Sequence, residues 1–430
     1  MKDLDIVNES SQALDPTIKA MFKDIWTGLG NALAEVPRWE KGFHIFWLLG
    51  PFILLIERSP ADIWLSILAL AFAVRSIMKR DGEWLKVFWV KASFLFLAVC
   101  LVSSAFSEMP SYAFSEGLAW FRFPLFAMAT AFWLGTDRRL LYAMMVSTAL
   151  GMMLMTGILT AEMIMEGQKE GRLSWPYDDL VSGNYLSKVG LPAFTVMMAL
   201  AIGAKPRLAS IMGGLSLISI IMSVLTGERV NFLIRACGGM LAALVWRPHW
   251  RRYVILVIIE IFAVAAILLS SPSIQNRYVD NFLAQLPTGS HSSYYRIMAT
   301  GLEAAKDTLI VGLGPATFRY LCPEIVGVSS EFECENHTHN FYFQLLTETG
   351  VIGLVTGSLM IVSIIWAAFA GWRKNRDNVV AATAFVVPFG LFFPIQSTGD
   401  FFGQWNNIFM WSAIALGLAA ARTLTAEQKK

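Results

Sequence analysis

Residues 252–270 read RYVILVIIEIFAVAAILLS. Between Arg252 and Ser270, one acid, Glu260, interrupts a run that is otherwise apolar on every helical face, where a soluble helix needs only one apolar stripe. At ~1.5 Å of rise per residue, such a run approaches the ~30 Å of a bilayer's hydrocarbon core. Comparable runs recur near 43–57, 60–78, 86–105, 112–135, 139–161, 186–203, 207–226, 230–246, 344–371, 378–396 and 405–421. They predict an all-α polytopic membrane protein with about twelve transmembrane helices. Composition agrees: 56% of the 430 residues are apolar and 15% are charged, with a mean hydropathy of +0.54. Soluble domains carry about 25% charged residues, so an ordinary soluble enzyme is excluded, as are a disordered chain and a disulfide-rich secreted scaffold. The net charge of +2 selects no partner by itself, and no nucleic-acid partner is expected.

Charge placement sets the expected orientation. Alternate loops hold thirteen cations, among them Lys79, Arg80, Arg138, Arg139, Arg373 and Lys374, whereas the short opposite loops hold only Arg58 and Arg229. The positive-inside rule then predicts cytoplasmic termini. The expected organisation is a cytoplasmic tail over 1–42, nine spans over 43–270, a large helical periplasmic loop over 271–343 between spans 9 and 10, three spans over 344–421, and a second tail over 422–430. Residues 1–42 contain an amphipathic stretch (Ile18, Met21, Phe22, Ile25, Trp26, Leu29) and no short apolar segment of the signal-peptide kind. Pro51 and Pro60 leave a re-entrant hairpin over 43–78 as an alternative to two spans.

The outer loop holds most of the candidate chemistry. Asn336-His337-Thr338-His339-Asn340-Phe341 precedes Tyr342 to Gly350, and a helix beginning near Asn340 puts His339 at its entrance. Gln344 and Glu348 then follow one and two turns deeper. An imidazole at a water interface suits general-base work, since its unperturbed pKa is ~6.5. His-x-His also raises a metal site, but a third and fourth ligand are wanting and no metal is expected; two polar loop residues are the plain alternative. Cys322 and Cys334 share the loop, and an oxidising compartment would pair them. Ser292 to Asp307 reads as a serine-capped helix, and Val311-Gly312-Leu313-Gly314 as a tight turn.

Charges placed within or beside spans are costly and serve structure or function. Arg122 lies inside the fourth run, Arg229 at the start of the eighth with Arg235 about two turns into it, and Lys188 at the start of the sixth. Glu260 is a candidate structural partner for Arg122 or Arg235. Arg172, Arg277 and Lys169 read as solvated loop residues. Trp175-Pro176-Tyr177-Asp178-Asp179 has the aromatic and acidic character of sugar sites but equally that of an interfacial loop, so Asp178 and Asp179 are candidate acceptor contacts only.

The run His339 to Gly350 (HNFYFQLLTETG) resembles the signature of the bacterial O-antigen ligase family, membrane glycosyltransferases related to the O-antigen polymerases. Arg296 followed by Gly312-Leu313-Gly314 and Phe318 resembles that family's arginine and G-x-G-x-x-x-F segment, and Thr226-Gly227-Glu228-Arg229 its S/T-x-x-R element. The chain departs from the pattern at Asp307-Thr308-Leu309-Ile310, where a proline is usual, and at Ile297-Met298-Ala299-Thr300, where an aromatic residue is usual.

The resemblance implies an inner-membrane transferase that uses no cofactor. It would move polysaccharide from undecaprenyl pyrophosphate to the lipid A-core oligosaccharide at the periplasmic face. His339 is then the candidate base, supported by His337, Gln344 and Glu348. Arg229, Arg296, Arg122, Arg235 and Lys188 are candidate pyrophosphate ligands, because guanidinium and ammonium groups bind phosphate oxygens. A single displacement by the activated hydroxyl would invert the anomeric centre. An O-antigen polymerase or a protein O-oligosaccharyltransferase is the alternative. A non-enzymatic transporter of lipid-linked glycan ranks last, since no internal repeat is visible.

Overall fold

The computed structural model describes residues 18–177, 181–245, 250–286, 292–327, 333–376, 378–394, 397 and 399–427. Among these residues the chain is all-helical and forms no strand. Among the described residues, eight helices have the length and apolarity to cross a membrane: Arg58–Lys79, Phe88–Ala105, Pro110–Leu134, Arg138–Met165, Pro206–Leu225, Trp250–Ser270, Phe341–Lys374 and Gln404–Thr425. The pair Ser182–Val189 and Leu191–Gly203, bent by 60°, makes a ninth if it serves as one broken span.

Twelve spans were expected, and the difference lies in three places. The run near 43–57 falls in the 16-residue helix Arg38–Ile53, which contains Pro51 and stops two residues later. The run near 230–246 forms the 17-residue helix Arg229–Val245, which carries two arginines. The run near 378–396 is split between Val379–Ala384 and Val386–Leu391, each of six residues. Apolar composition does not reveal where a backbone breaks. The amphipathic stretch of the N-terminal segment is part of the helix Ile18–Glu35, and the last helix, Gln404–Glu427, continues beyond residue 421.

The Gln404–Glu427 helix forms the centre of the bundle, with Ile408 to Ala421 buried. Small residues let it approach its neighbours, as lipid-embedded helices commonly do. A Cβ on Gly371 would lie 2.5 Å from Ala421 Cβ. The Trp250–Ser270 helix is peripheral, with Glu260 as its one buried residue. At the cation-rich end, buried Glu40 accepts from Trp133 Nε1 at 2.5 Å, from Arg75 Nε at 3.2 Å, and from Lys79.

Between the Trp250–Ser270 and Phe341–Lys374 helices, short elements follow one another: Pro272–Gln275, Asn276–Asp280, Asn281–Gln285, Ser293–Ala304 and Phe318–Val326. Ser292 sits at the cap position of Ser293–Ala304, but its hydroxyl donates to the Gln285 carbonyl at 2.8 Å. A disulfide joins Cys322 to Cys334, with 5.9 Å between their Cα atoms.

This segment is fastened to the bundle at a break in the long helix. Gly350 has φ +68° and ψ −172°, so the regular pairing of Val351 and Ile352 with the Thr347 and Glu348 carbonyls is interrupted. The 309–314 loop takes up both sides of the gap. Leu313 and Gly314 N–H donate to the Thr347 and Glu348 carbonyls at 3.0 and 2.8 Å, and Val351 N–H donates to Leu309 O at 2.8 Å. Ser103 Oγ also donates to the Glu348 carbonyl, at 3.0 Å. Backbone groups left unpaired at membrane depth would cost several kcal/mol each. The close approach explains the glycines: Gly312 has φ +76°, and a Cβ there would lie 2.4 Å from the Glu348 carbonyl carbon.

Candidate active site

Asn340 opens the Phe341–Lys374 helix. Its side chain accepts the N–H groups of Tyr342 and Phe343 at 3.0 and 3.3 Å, and its own amide donates to Pro394 O at 2.8 Å. His339 precedes this cap with φ +54°, a left-handed conformation uncommon outside glycine. Both flanks of the site are thereby held: the helix by its cap and the imidazole by its ring neighbours. The His337 ring centroid lies 4.3 Å away and that of Tyr294, from the Ser293–Ala304 helix, 5.5 Å away.

His339 lines two cavities of different character. One, of about 710 Å³, has mainly apolar walls that include Leu233, Ile234, Met240, Phe282, Phe389 and Phe393. The other, of about 360 Å³, is lined by Arg172, Lys188, Arg229 and Arg277, with Glu228 as the one carboxylate among its described lining residues. Arg229, Gln285, Tyr294, His339 and Ser397 line both, so the cavities meet at the candidate base and one arginine. Four cations facing one carboxylate give the smaller cavity a net positive lining.

The cations reach it from separate elements. Arg229 begins the Arg229–Val245 helix, lies over the Phe282 ring at 5.9 Å and donates to Gln285 Oε1; its buried Nη1 has no partner among the described residues. Lys188 is buried in the π-helical turn Tyr185–Val189, just before the 60° bend. It donates to Asn184 Oδ1 at 2.7 Å and to Asn406 Oδ1. Arg172 pairs with Glu228 at 2.9 Å, and Arg277 Nε donates to the Gly227 carbonyl at 2.7 Å. Sequence reading passed over Arg172 and Arg277. Nothing local marks them, because folding alone carries 168–173 and 272–285 over the Thr226–Arg229 turn.

Three other candidate arginines line neither cavity. Arg122 pairs with Asp62 at 3.0 Å and lies over Phe123. Arg235 is wholly buried against Phe194, its centre 4.2 Å from the ring, and donates to the Leu186 carbonyl and Ser219 Oγ. Arg296 makes two contacts to one oxygen of Glu333, at 2.7 and 3.0 Å. Asp178 and Asp179 lie outside the described residues.

Gln344 and Glu348 serve a neighbouring network. The buried Glu348 carboxylate accepts from the N–H groups of Ala316 and Phe318, at 3.0 and 3.3 Å, and from Gln344 at 3.2 Å. Gln344 also donates to Asp400 Oδ1 at 2.6 Å and accepts from Phe401 N–H at 2.7 Å. Asp400 in turn pairs with Arg319. Burial is the largest influence and disfavours the Arg319 charge, but Asp400, Glu348, Tyr112 and Tyr320 together outweigh it and hold the guanidinium above its ordinary pKa. Among the described residues, no three His, Cys, Asp or Glu side chains gather as a metal site would require.

A bundle of membrane-length helices, with an apolar and a cationic cavity meeting at a histidine, defines a multi-pass membrane protein with one candidate site at one end. Residues 214–357 match the family profile described as O-antigen ligase, so over that segment the chain is similar to that family. The match includes Arg229, Arg296, His339, Gln344 and Glu348. Members are glycosyltransferase-like membrane enzymes. A chain from a solved structure described as "Structural coordination of polymerization and crosslinking by a peptidoglycan synthase complex" is also similar. It is 14% identical, with 78% of this chain and 97% of that chain covered, at a TM-score of 0.44. No curated protein matches this chain in sequence.

Proposed function

We propose that the protein transfers a polysaccharide from undecaprenyl pyrophosphate to the lipid A-core oligosaccharide, at the periplasmic face of a bacterial inner membrane. One observation carries this reading: the apolar and the cationic cavity share His339 and Arg229 in their walls. A polyprenyl pyrophosphate is amphiphilic in the same way, with a hydrocarbon chain on one side of its anionic group.

In this reading the chain lies along Leu233, Phe282 and Phe393, and the pyrophosphate enters among Arg229, Lys188, Arg172 and Arg277. His339 takes the proton of the acceptor hydroxyl as its oxygen attacks the anomeric carbon. The bond from that carbon to the pyrophosphate oxygen breaks, and undecaprenyl pyrophosphate leaves with the electron pair. Arg229 and Lys188 stabilise the charge that builds there, in a partly dry site where fixed cations act strongly. Arg122 and Arg235 are structural charges, Arg296 ties the Ser293–Ala304 helix to Glu333, and the displacement inverts the anomeric centre.

The test is a strain lacking this gene, complemented with wild type or His339→Ala at matched levels, with lipopolysaccharide and lipid-linked glycan resolved side by side. Bare core beside full-length polymer on the carrier lipid supports ligation. Core bearing a single repeat unit makes the protein a polymerase, and a wild-type pattern removes His339 from the chemistry.

A further inference from the structure

The end of the bundle opposite His339 carries a second crevice, of about 310 Å³, between the Phe88–Ala105, Pro110–Leu134, Phe341–Lys374 and Gln404–Glu427 helices. Its distance from the candidate active site follows from the helices that run between them. Lys374, which lines the crevice, is the last residue of the helix that starts beside His339, roughly 50 Å of helix away. Arg422, which also lines it, lies about 27 Å along its helix from Gln404.

The lining combines apolar residues with two cations. Trp89, Phe132 and Leu418 are among its apolar lining residues, and Gly371 and Ala421 line it where their two helices pack closely. Lys374 and Arg422 are the charged groups that line it, and both are exposed. The Arg422 guanidinium lies over the Phe132 ring, 4.5 Å from its centroid. Asp81, the carboxylate that acts on Arg422, itself lies 3.8 Å from Arg75. Val87 and Trp89 bring the start of the Phe88–Ala105 helix to the crevice, and no side chain caps that helix. Its positive end therefore adds to the two cations.

We propose that this crevice is a binding site for an anionic phospholipid, with the phosphate between Lys374 and Arg422 and an acyl chain against Trp89, Phe132 and Leu418. Charge complementarity selects an anion. The apolar lining residues beside the charges select a lipid over a free phosphate, which would leave them uncovered. The site is separate from the transfer chemistry and needs no glycan.

The test uses the full chain, purified in detergent and exposed to equimolar phosphatidylglycerol and phosphatidylcholine, with retained lipid counted by native mass spectrometry. Wild type should retain phosphatidylglycerol in preference, and Lys374→Gln should lower that preference about fivefold, as should Arg422→Gln. The double variant should bring the preference near parity. Lys205→Gln with Arg207→Gln, cations that do not line the crevice, should leave it unchanged. An equal uptake of the two lipids by wild type would overturn the proposal, as would a preference that survives in the double variant. Displacement of bound phosphatidylglycerol by glycerol 3-phosphate at comparable concentration would make the site one for soluble phosphate, and would also overturn it. Lys374 is exposed, so its single variant keeps the test valid even if Arg422→Gln fails to fold.

Discussion

Glu348 accepts the backbone N–H of Ala316 at 3.0 Å, although 31 residues of chain separate the two and Glu348 is wholly buried. The contact joins the glycine turn before the Phe318–Val326 helix to the broken helix that carries His339 at its entrance. Two motifs that look independent in sequence are therefore one joint, and the acid in the second acts on the backbone of the first.

Glu348→Ala should accordingly damage folding before chemistry. It leaves the N–H groups of Ala316 and Phe318 without their acceptor, at about 1–3 kcal/mol for each buried group. Glu348→Gln retains one acceptor oxygen and should be milder. Thermal unfolding midpoints of the purified proteins check this ordering, and equal midpoints for the two variants would contradict it.

Gly350→Ala should be more severe still. A Cβ at that position would lie 2.2 Å from the Ile310 carbonyl oxygen, on a backbone with φ +68°. Both the strain and the clash oppose the variant, so little folded protein should reach the membrane. Size-exclusion profiles of solubilised membranes read the outcome directly.

The Cys322–Cys334 disulfide closes a short loop, and Glu333, which holds Arg296, is the neighbour of Cys334. Removing it by Cys322→Ser with Cys334→Ser should cost about 2–4 kcal/mol of stability in the segment that carries it. Limited proteolysis should then cut the 318–337 region faster than in wild type, with the helices of the bundle intact.

At the cationic cavity, the proposed function separates two classes of arginine. Arg229→Ala should lower transfer by about 10²-fold or more, since it removes a cation that faces the leaving group. Arg122→Ala should act through stability, because its partner is Asp62 and it lines neither cavity. Transfer rates normalised to folded protein distinguish the two, and a normalised loss for Arg122→Ala as large as that for Arg229→Ala would reverse the assignment.

The membrane class of this fold was legible because hydrophobic runs of bilayer length are a composition signal. The number of spans was less so: Pro51, the 60° bend after Val189 and the split between Ala384 and Phe385 are backbone events inside apolar sequence. At the site, the helix start at Asn340 and the position of His339 could be read from capping chemistry. The roles of Gln344 and Glu348 could not, because their partners, Asp400, Ala316 and Phe318, are distant in sequence. Arg172 and Arg277 were hidden for the same reason, and Arg296 looked available because Glu333 is close only in the folded chain.

The most direct test of the central claim is transfer by the purified protein, with a defined undecaprenyl-pyrophosphate glycan as donor and lipid A-core as acceptor, comparing wild type with His339→Gln. A general base contributes typically 10²–10⁴-fold, so the account predicts a rate at least about 10²-fold lower in a variant that unfolds at the wild-type temperature. A His339→Gln rate within about twofold of wild type would contradict it.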